Sequence, residues 1–272
     1  MGTQTGTWSQ AYVSFFGRKL ISFLQALYGL GAFGLITLGV IFTKLTFAHR
    51  VIRPLVFRQL YRAGLGVLPM IIFLALALGL IIIGQTVSLL SRVGANQYLG
   101  TVMVTVVVRE LGPMLTALIV LLRTGTATVV ELGTARALGE VEALEALGID
   151  PVHYFVVPRV IGMGLGLFAL TIYMILGALV SGYLWAFVQD VPLTPADYFR
   201  QLAASLQWVD FVVLGLKALS FGAAIAVVTC YHGLAQPLRL EEVPRATVRA
   251  VAQTVIAIAV IDAFFIVVYL MA

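Results

Sequence analysis

Apolar residues in this chain run continuously instead of alternating with polar ones. Stretches free of charge occupy 20–43, 63–91, 160–189 and 218–238; two more, 98–122 and 250–272, are interrupted only by Arg109 and Glu110 and by Asp262. Each reaches the roughly 20 residues that an α-helix needs to cross the hydrocarbon core of a bilayer, and none has the two-residue alternation of a membrane barrel strand. The pattern predicts an all-α integral membrane protein with five spans, at about 64–90, 98–122, 157–187, 210–232 and 250–271. The first apolar segment, 20–43, is weakened by Gly29, Gly31, Gly34 and Gly39 and is basic at both ends, with Arg18 and Lys19 before it and Lys44, Arg50 and Arg53 after it. A helix lying in the interface keeps both basic ends on one side, so this segment is read as an interfacial helix; a spanning helix, which would export Arg18 and Lys19, is the alternative. Residues 1–62 then form the N-terminal interfacial helix and cytoplasmic connector, and 63–272 the five-span domain. Between the third and fourth spans Thr194 is placed to cap a short outer helix that begins at Pro195.

Composition agrees with this layout: 61% of residues are hydrophobic, 11% are charged, and the mean hydropathy is +1.05. The net charge of +5 does not call for nucleic acid. With Arg50, Arg53, Arg58 and Arg62 inside, the spans also place Arg123, Arg136, Arg159, Arg239, Arg245 and Arg249 inside, and only Arg92 and Arg200 outside. That is the positive-inside bias, with a cytoplasmic N-terminus and a C-terminus on the outer side. The N-terminal stretch lacks the pattern of a cleavable signal, so the chain is read as mature throughout. A single cysteine, Cys230, is expected to be a small packing residue. Gly162 with Gly166 and Ala178 with Gly182 have the spacing that lets helices approach closely.

Familiar catalytic patterns fail. The stretch GLGAFG at 29–34 has dinucleotide-binding spacing, but no acidic residue precedes Glu110, and that fingerprint needs one about 20 positions on to hold a ribose. No P-loop occurs, and His49, His153 and His232 lack metal-ligand spacing. The expectation is a chain without enzymatic activity, cofactor or metal of its own.

Charge inside the spans is the more informative chemistry. Arg109 lies eleven residues below Tyr98, near mid-membrane at about 1.5 Å per residue, where each charge costs roughly 2.5–3.5 kcal/mol on insertion scales. Neighbouring helical residues point about 100° apart, so Arg109 and Glu110 should meet separate partners. Pro113 has no N–H and leaves the Arg109 carbonyl without its helical partner. Lys217 and Asp262 sit at matching depth below the outer surface and are expected to pair. Two readings stay open for this set: a structural network that holds helices in register, and a hinge or cavity lining.

The cytoplasmic segment, about 123–156, contains RTGTATVVELGTARALGEVEALEALGIDP, with five carboxylates against two arginines. If it is helical throughout, Glu131 and Glu142 share a face, and such an acidic surface suits a basic protein partner better than anionic lipid. Gly139 could interrupt that register, and an ordinary solvated loop is the alternative.

RELGP at 109–113, ELGTAR at 131–136, EALEALGIDP at 142–151 and VPRVIG at 157–162, followed by CYHG, RATVRAV and IDAFF, resemble the permease subunit of MCE-associated ABC transporters, the MlaE/YrbE family. The resemblance covers roughly residues 50–272. It implies an inner-membrane homodimer bound to two P-loop ATPase subunits, which supply the ATP chemistry, and to periplasmic MCE-domain proteins. Its implied task is moving phospholipid between the inner membrane and the outer membrane, which maintains outer-membrane lipid asymmetry. It makes 123–156 the segment that couples to the ATPase, with Glu131 and Arg136 in that role and the neighbouring Glu140 and Glu142 beside them. It also places lipid at a dimer seam lined by spans 1 and 5, where Leu78, Ile82, Gln85 and Leu89 share one helical face. The chain departs from the family where Gly139 and Glu140 replace a glutamate and a glutamine, and where Pro244 replaces a glycine. The competing function is an autonomous ion-coupled secondary transporter driven by the intramembrane charges; a third is a non-transporting membrane scaffold.

Overall fold

Each of the five long apolar stretches folds as a helix long enough to span a bilayer. In the computed structural model, which describes residues 28–41, 49–95, 98–188, 194–234 and 239–271, no strand occurs among the described residues. The helices are α1 (Tyr28–Ile41), α2 (Arg53–Leu90), α3 (Leu99–Ala137), α4 (Glu140–Ala146), α5 (Val152–Val188), α6 (Pro195–Ser205), α7 (Trp208–Leu234) and α8 (Leu240–Met271). The spans are α2, α3, α5, α7 and α8. Expected features on residues 1–27 and 42–48, including Arg18, Lys19 and the flanks of the first apolar segment, lie outside the described residues. The described part of that segment, α1, sets Phe33 edge-on to Tyr231 of α7 at 5.7 Å.

At the end of the bundle expected to be cytoplasmic, the helices overrun the apolar stretches that predict them. α3 continues past residue 122 to Ala137, and α8 begins at Leu240 instead of near 250. A backbone hydrogen-bond ladder does not end where lipid ends; it ends where a residue breaks it. For α3 that residue is Gly139, whose φ of 78° lies in the left-handed region, a conformation that disfavours a side chain. Gly148, with φ 74°, closes α4 in the same way. Pro244 falls in the first turn of the Val243–Met271 helix, where its missing N–H costs nothing. The Thr194 hydroxyl accepts from the Asp197 amide at 3.2 Å and caps α6 as expected.

α5 is the central helix, packed by α2, α7 and the N-terminal half of α3, while α7 also contacts α8 and the C-terminal half of α3. Small residues set the spacing. A Cβ on Gly222 of α7 would come within 2.6 Å of the Gly164 Cα on α5, and one on Gly162 within 2.8 Å of Gln59 on α2. Ala178 packs on Gly79 of α2, so these contacts lie within one chain. The main core gathers Ile71, Leu121, Leu132, Met163, Leu167, Phe221, Ile225 and the fully buried Cys230. A second core under α6 joins Val87, Leu99, Met103, Tyr198 and Leu202. Only 24% of the apolar window of α2 and 17% of that of α8 is buried, against 50% or more for the other spans. Those two helices are the least covered of the five spans.

Candidate functional site

The residues singled out by charge converge on one buried cluster. Arg109 meets Asp210 side-on, with Nε 2.8 Å from one carboxylate oxygen and Nη2 donating to the other at 3.2 Å. Asp210, 1% exposed, also accepts from the Gln207 amide at 2.8 Å at the start of α7. Glu110 points elsewhere, to Lys217 Nζ at 2.8 Å. Thus the adjacent charges of α3 do take separate partners. Lys217 is fully buried; its ammonium also lies 2.7 Å from Asp262 and donates to the Arg109 carbonyl at 2.9 Å. Pro113, without an N–H, offers nothing to the carbonyls one turn before it, and the Arg109 carbonyl accepts from Lys217. An ammonium has three donors, and three acceptors surround this one. The Arg109 guanidinium further covers the ring of Tyr269, 5.0 Å from its centroid. The cluster pins α3, α7 and α8 together.

Around Arg109 the backbone is also unusual. Residues Val104–Leu111 form wide turns bonded five residues apart, and similar turns occupy Gly79–Ile83 and Leu121–Gly125. Such turns insert one extra residue and cluster at functional sites.

The segment expected to couple to an ATPase is a hairpin of two helices broken at Gly139, not one continuous helix. Because the chain reverses at Gly139, the shared acidic face expected of Glu131 and Glu142 is not formed. Glu142 folds back onto Arg136 Nε at 3.2 Å, with Glu145 3.7 Å from Nη1. Glu131 turns toward the bundle, 3.2 Å from Arg159 on α5 and 3.5 Å from Arg62 on α2. Glu140 stays exposed in the first turn of α4. Leu138, 61% accessible, and Leu147, 75% accessible, are the most exposed of the large apolar residues on the hairpin, ahead of Val130 and Ile149.

The four residues expected to line a lipid cavity divide. Gln85 and Leu89 border an outer cavity of about 630 Å³ shared with Leu80, Ser88, Arg92 and Trp185. Leu78 and Ile82 instead pack inward, around a void of about 10 Å³ against Val107, Leu115 and Met174. The wide turn at Gly79–Ile83 is the reason: one additional residue rotates the rest of the helix by about 100°, so a single face cannot extend from 78 to 89.

Sequence reasoning missed Asp210, Tyr269, Arg62 and Arg159 as site residues. Asp210 had a detectable signal, a carboxylate in the first turn of an apolar span at the depth an Arg109 side chain can reach. Arg159, 8% exposed, was visible as an arginine one turn into the third span.

The pattern of the Permease MlaE family matches residues 56–268. Among relatives, a probable ABC transporter permease protein of Rickettsia felis is 30% identical, covering 89% of this chain and 91% of its own. One of Synechocystis sp. is 36% identical over 63% of this chain and 65% of its own. The intermembrane phospholipid transport system permease protein MlaE of Haemophilus influenzae is 26% identical over 88% of this chain and 90% of its own. The match selects the permease reading over an ion-coupled transporter or a scaffold: this multi-pass chain belongs to the MlaE permease family, membrane subunits of ABC transporters.

Proposed function

We propose that this permease moves phospholipid between the inner membrane and periplasmic MCE-domain proteins, working as a homodimer driven by a separate P-loop ATPase. In this reading the chain binds no cofactor, ATP is bound by the partner, the N-terminus is cytoplasmic and the C-terminus periplasmic. The observation that carries the proposal is the outer cavity on α2. It is large enough for part of a lipid, is lined by apolar side chains with Gln85 and Arg92 among them, and opens beside one of the two least covered spans. A second copy set against α2 and α8 would cover their apolar surface and close the cavity between subunits. The resemblance to the relative named as a phospholipid transport permease supports the cargo class.

On the cytoplasmic side, the hairpin made by the end of α3 and α4 is the coupling element. Arg136, Glu142 and Glu145 hold it together, Glu131 ties it to α2 and α5, and Leu138, Glu140 and Leu147 form the surface that docks on the ATPase. ATP-driven closure of the ATPase pair then pulls on α3 through the hairpin, and the Arg109–Lys217 cluster passes that movement to α7 and α8. The test is purification of tagged protein from native membrane in mild detergent, with mass spectrometry of bound proteins and lipids. A stoichiometric P-loop ATPase and retained phospholipid are expected, with the ATPase lost in Leu147→Glu. A chain that purifies without an ATPase and without phospholipid refutes the proposal.

A further inference from the structure

A second cavity lies at the cytoplasmic end of α2, apart from the outer one. It measures about 140 Å³ and is bounded by Arg58, Gln59 and Arg62 of α2, Glu131 of α3, and Tyr154 and Arg159 of α5. Three guanidinium groups face one carboxylate there. Arg159 is 8% exposed; its Nη1 donates to the Phe155 carbonyl at 2.9 Å and its Nη2 lies 3.2 Å from Glu131. Its Nε, also buried, has no hydrogen-bond partner. Glu131 is shared with Arg62 at a longer 3.5 Å, and among the described residues Arg58 makes no ion pair. A buried guanidinium with a free donor and positive neighbours is incompletely neutralised. The planar fork of arginine suits the oxygens of a phosphate group.

We propose that this cavity binds a phosphate group, held by Arg58, Arg62 and Arg159. The group is carried either by a phospholipid headgroup of the cytoplasmic leaflet or by a soluble phosphate. Because Arg62 and Arg159 also hold Glu131, the bound anion competes with the carboxylate of the coupling segment. Occupancy therefore loosens the tie between the hairpin and α2 and α5. The lipid branch rests on the permease reading given above; the anion site itself does not.

The test is calorimetric titration of the full chain in dodecyl maltoside, which carries no phosphate. The probes are dihexanoylphosphatidylglycerol, dihexanoylglycerol as its phosphate-free counterpart, and inorganic phosphate. Expected is saturable binding of a phosphate-bearing probe that Arg58→Gln weakens about tenfold, as the loss of one charge-assisted hydrogen bond requires. Glu131→Gln, which removes the competitor, tightens it. Opposite signs from two neighbouring residues are not produced by a general loss of fold, and Arg58 is exposed without an ion pair, so its variant retains the bundle. Binding of the lipid that inorganic phosphate does not displace assigns the site to a headgroup; saturation by inorganic phosphate alone assigns it to a soluble anion. Equal affinity in wild type, Arg58→Gln and Glu131→Gln, or dihexanoylglycerol binding as tightly as the phospholipid, overturns the proposal. The titration needs no ATPase, so its failure leaves the permease reading intact, and a failed co-purification leaves this site intact.

Discussion

Removing Asp262 and Lys217 singly and together measures whether the intramembrane cluster acts as a unit. Asp262→Asn keeps an oxygen near the Lys217 ammonium and leaves Glu110 2.8 Å away, so the lysine is not stranded. The expected cost is about 2 kcal/mol, below the roughly 3–5 kcal/mol for breaking a buried pair outright. Lys217→Gln is worse. It leaves Glu110 and Asp262 facing one another without their shared cation and withdraws the ammonium from the Arg109 carbonyl, which puts it in the full range of about 3–5 kcal/mol. In the double variant the side chain at position 262 is a neutral amide that no longer opposes the Glu110 carboxylate, so the combined loss falls short of the sum by about 1–2 kcal/mol. Unfolding in mixed micelles, followed by helical circular dichroism with tryptophan fluorescence as a second probe, supplies the four free energies. Losses that add to within about 0.5 kcal/mol would show that the two residues do not share an interaction, and the account of the cluster would fail.

Single positions elsewhere carry their own expectations. Gly222→Val forces α7 away from Gly164 on α5 and should abolish folded protein in size-exclusion profiles, whereas Gly31→Ala, with open space around it, should elute as wild type. Gly139→Ala places a side chain at φ 78° and should cost about 1–2 kcal/mol, read as a lower melting temperature. Thr194→Ala removes the cap of α6 and should cost about 1 kcal/mol, visible as faster amide exchange at Asp197 and Tyr198 with the bundle unchanged.

The bundle was readable because burial in lipid and helical periodicity leave few options for runs this apolar. Lys217 with Asp262 was readable from depth alone, and the divergence of Arg109 from Glu110 from helix geometry alone. Asp210 was harder to recognise because its depth coincides with the membrane surface, where a carboxylate is ordinary; only the reach of Arg109 from the neighbouring helix makes it a partner. Leu78 and Ile82 were assigned to the cavity because a uniform helix was extended across a turn that is not uniform. The acidic face of the coupling segment failed for a local reason, the left-handed backbone at Gly139, although that glycine marks the break in the sequence itself. In the proposed assembly a second subunit and an ATPase complete the surfaces of the hairpin and the outer cavity, and one chain's pattern of apolar and polar positions does not encode them.

At the wide turn Gly79–Ile83 the stretches of α2 on either side fall out of a common helical register. Before it, side chains answer to the packing of α5; beyond it, Gln85 and Leu89 face the outer cavity while Val87 enters the core under α6. Evolution can therefore re-aim the cavity lining of this helix by a single-residue insertion or deletion at the turn, while the inner half keeps its contacts. Length variation inside a membrane span, ordinarily ruinous because it shifts every later residue, becomes at such a turn a means of retuning what the cavity presents.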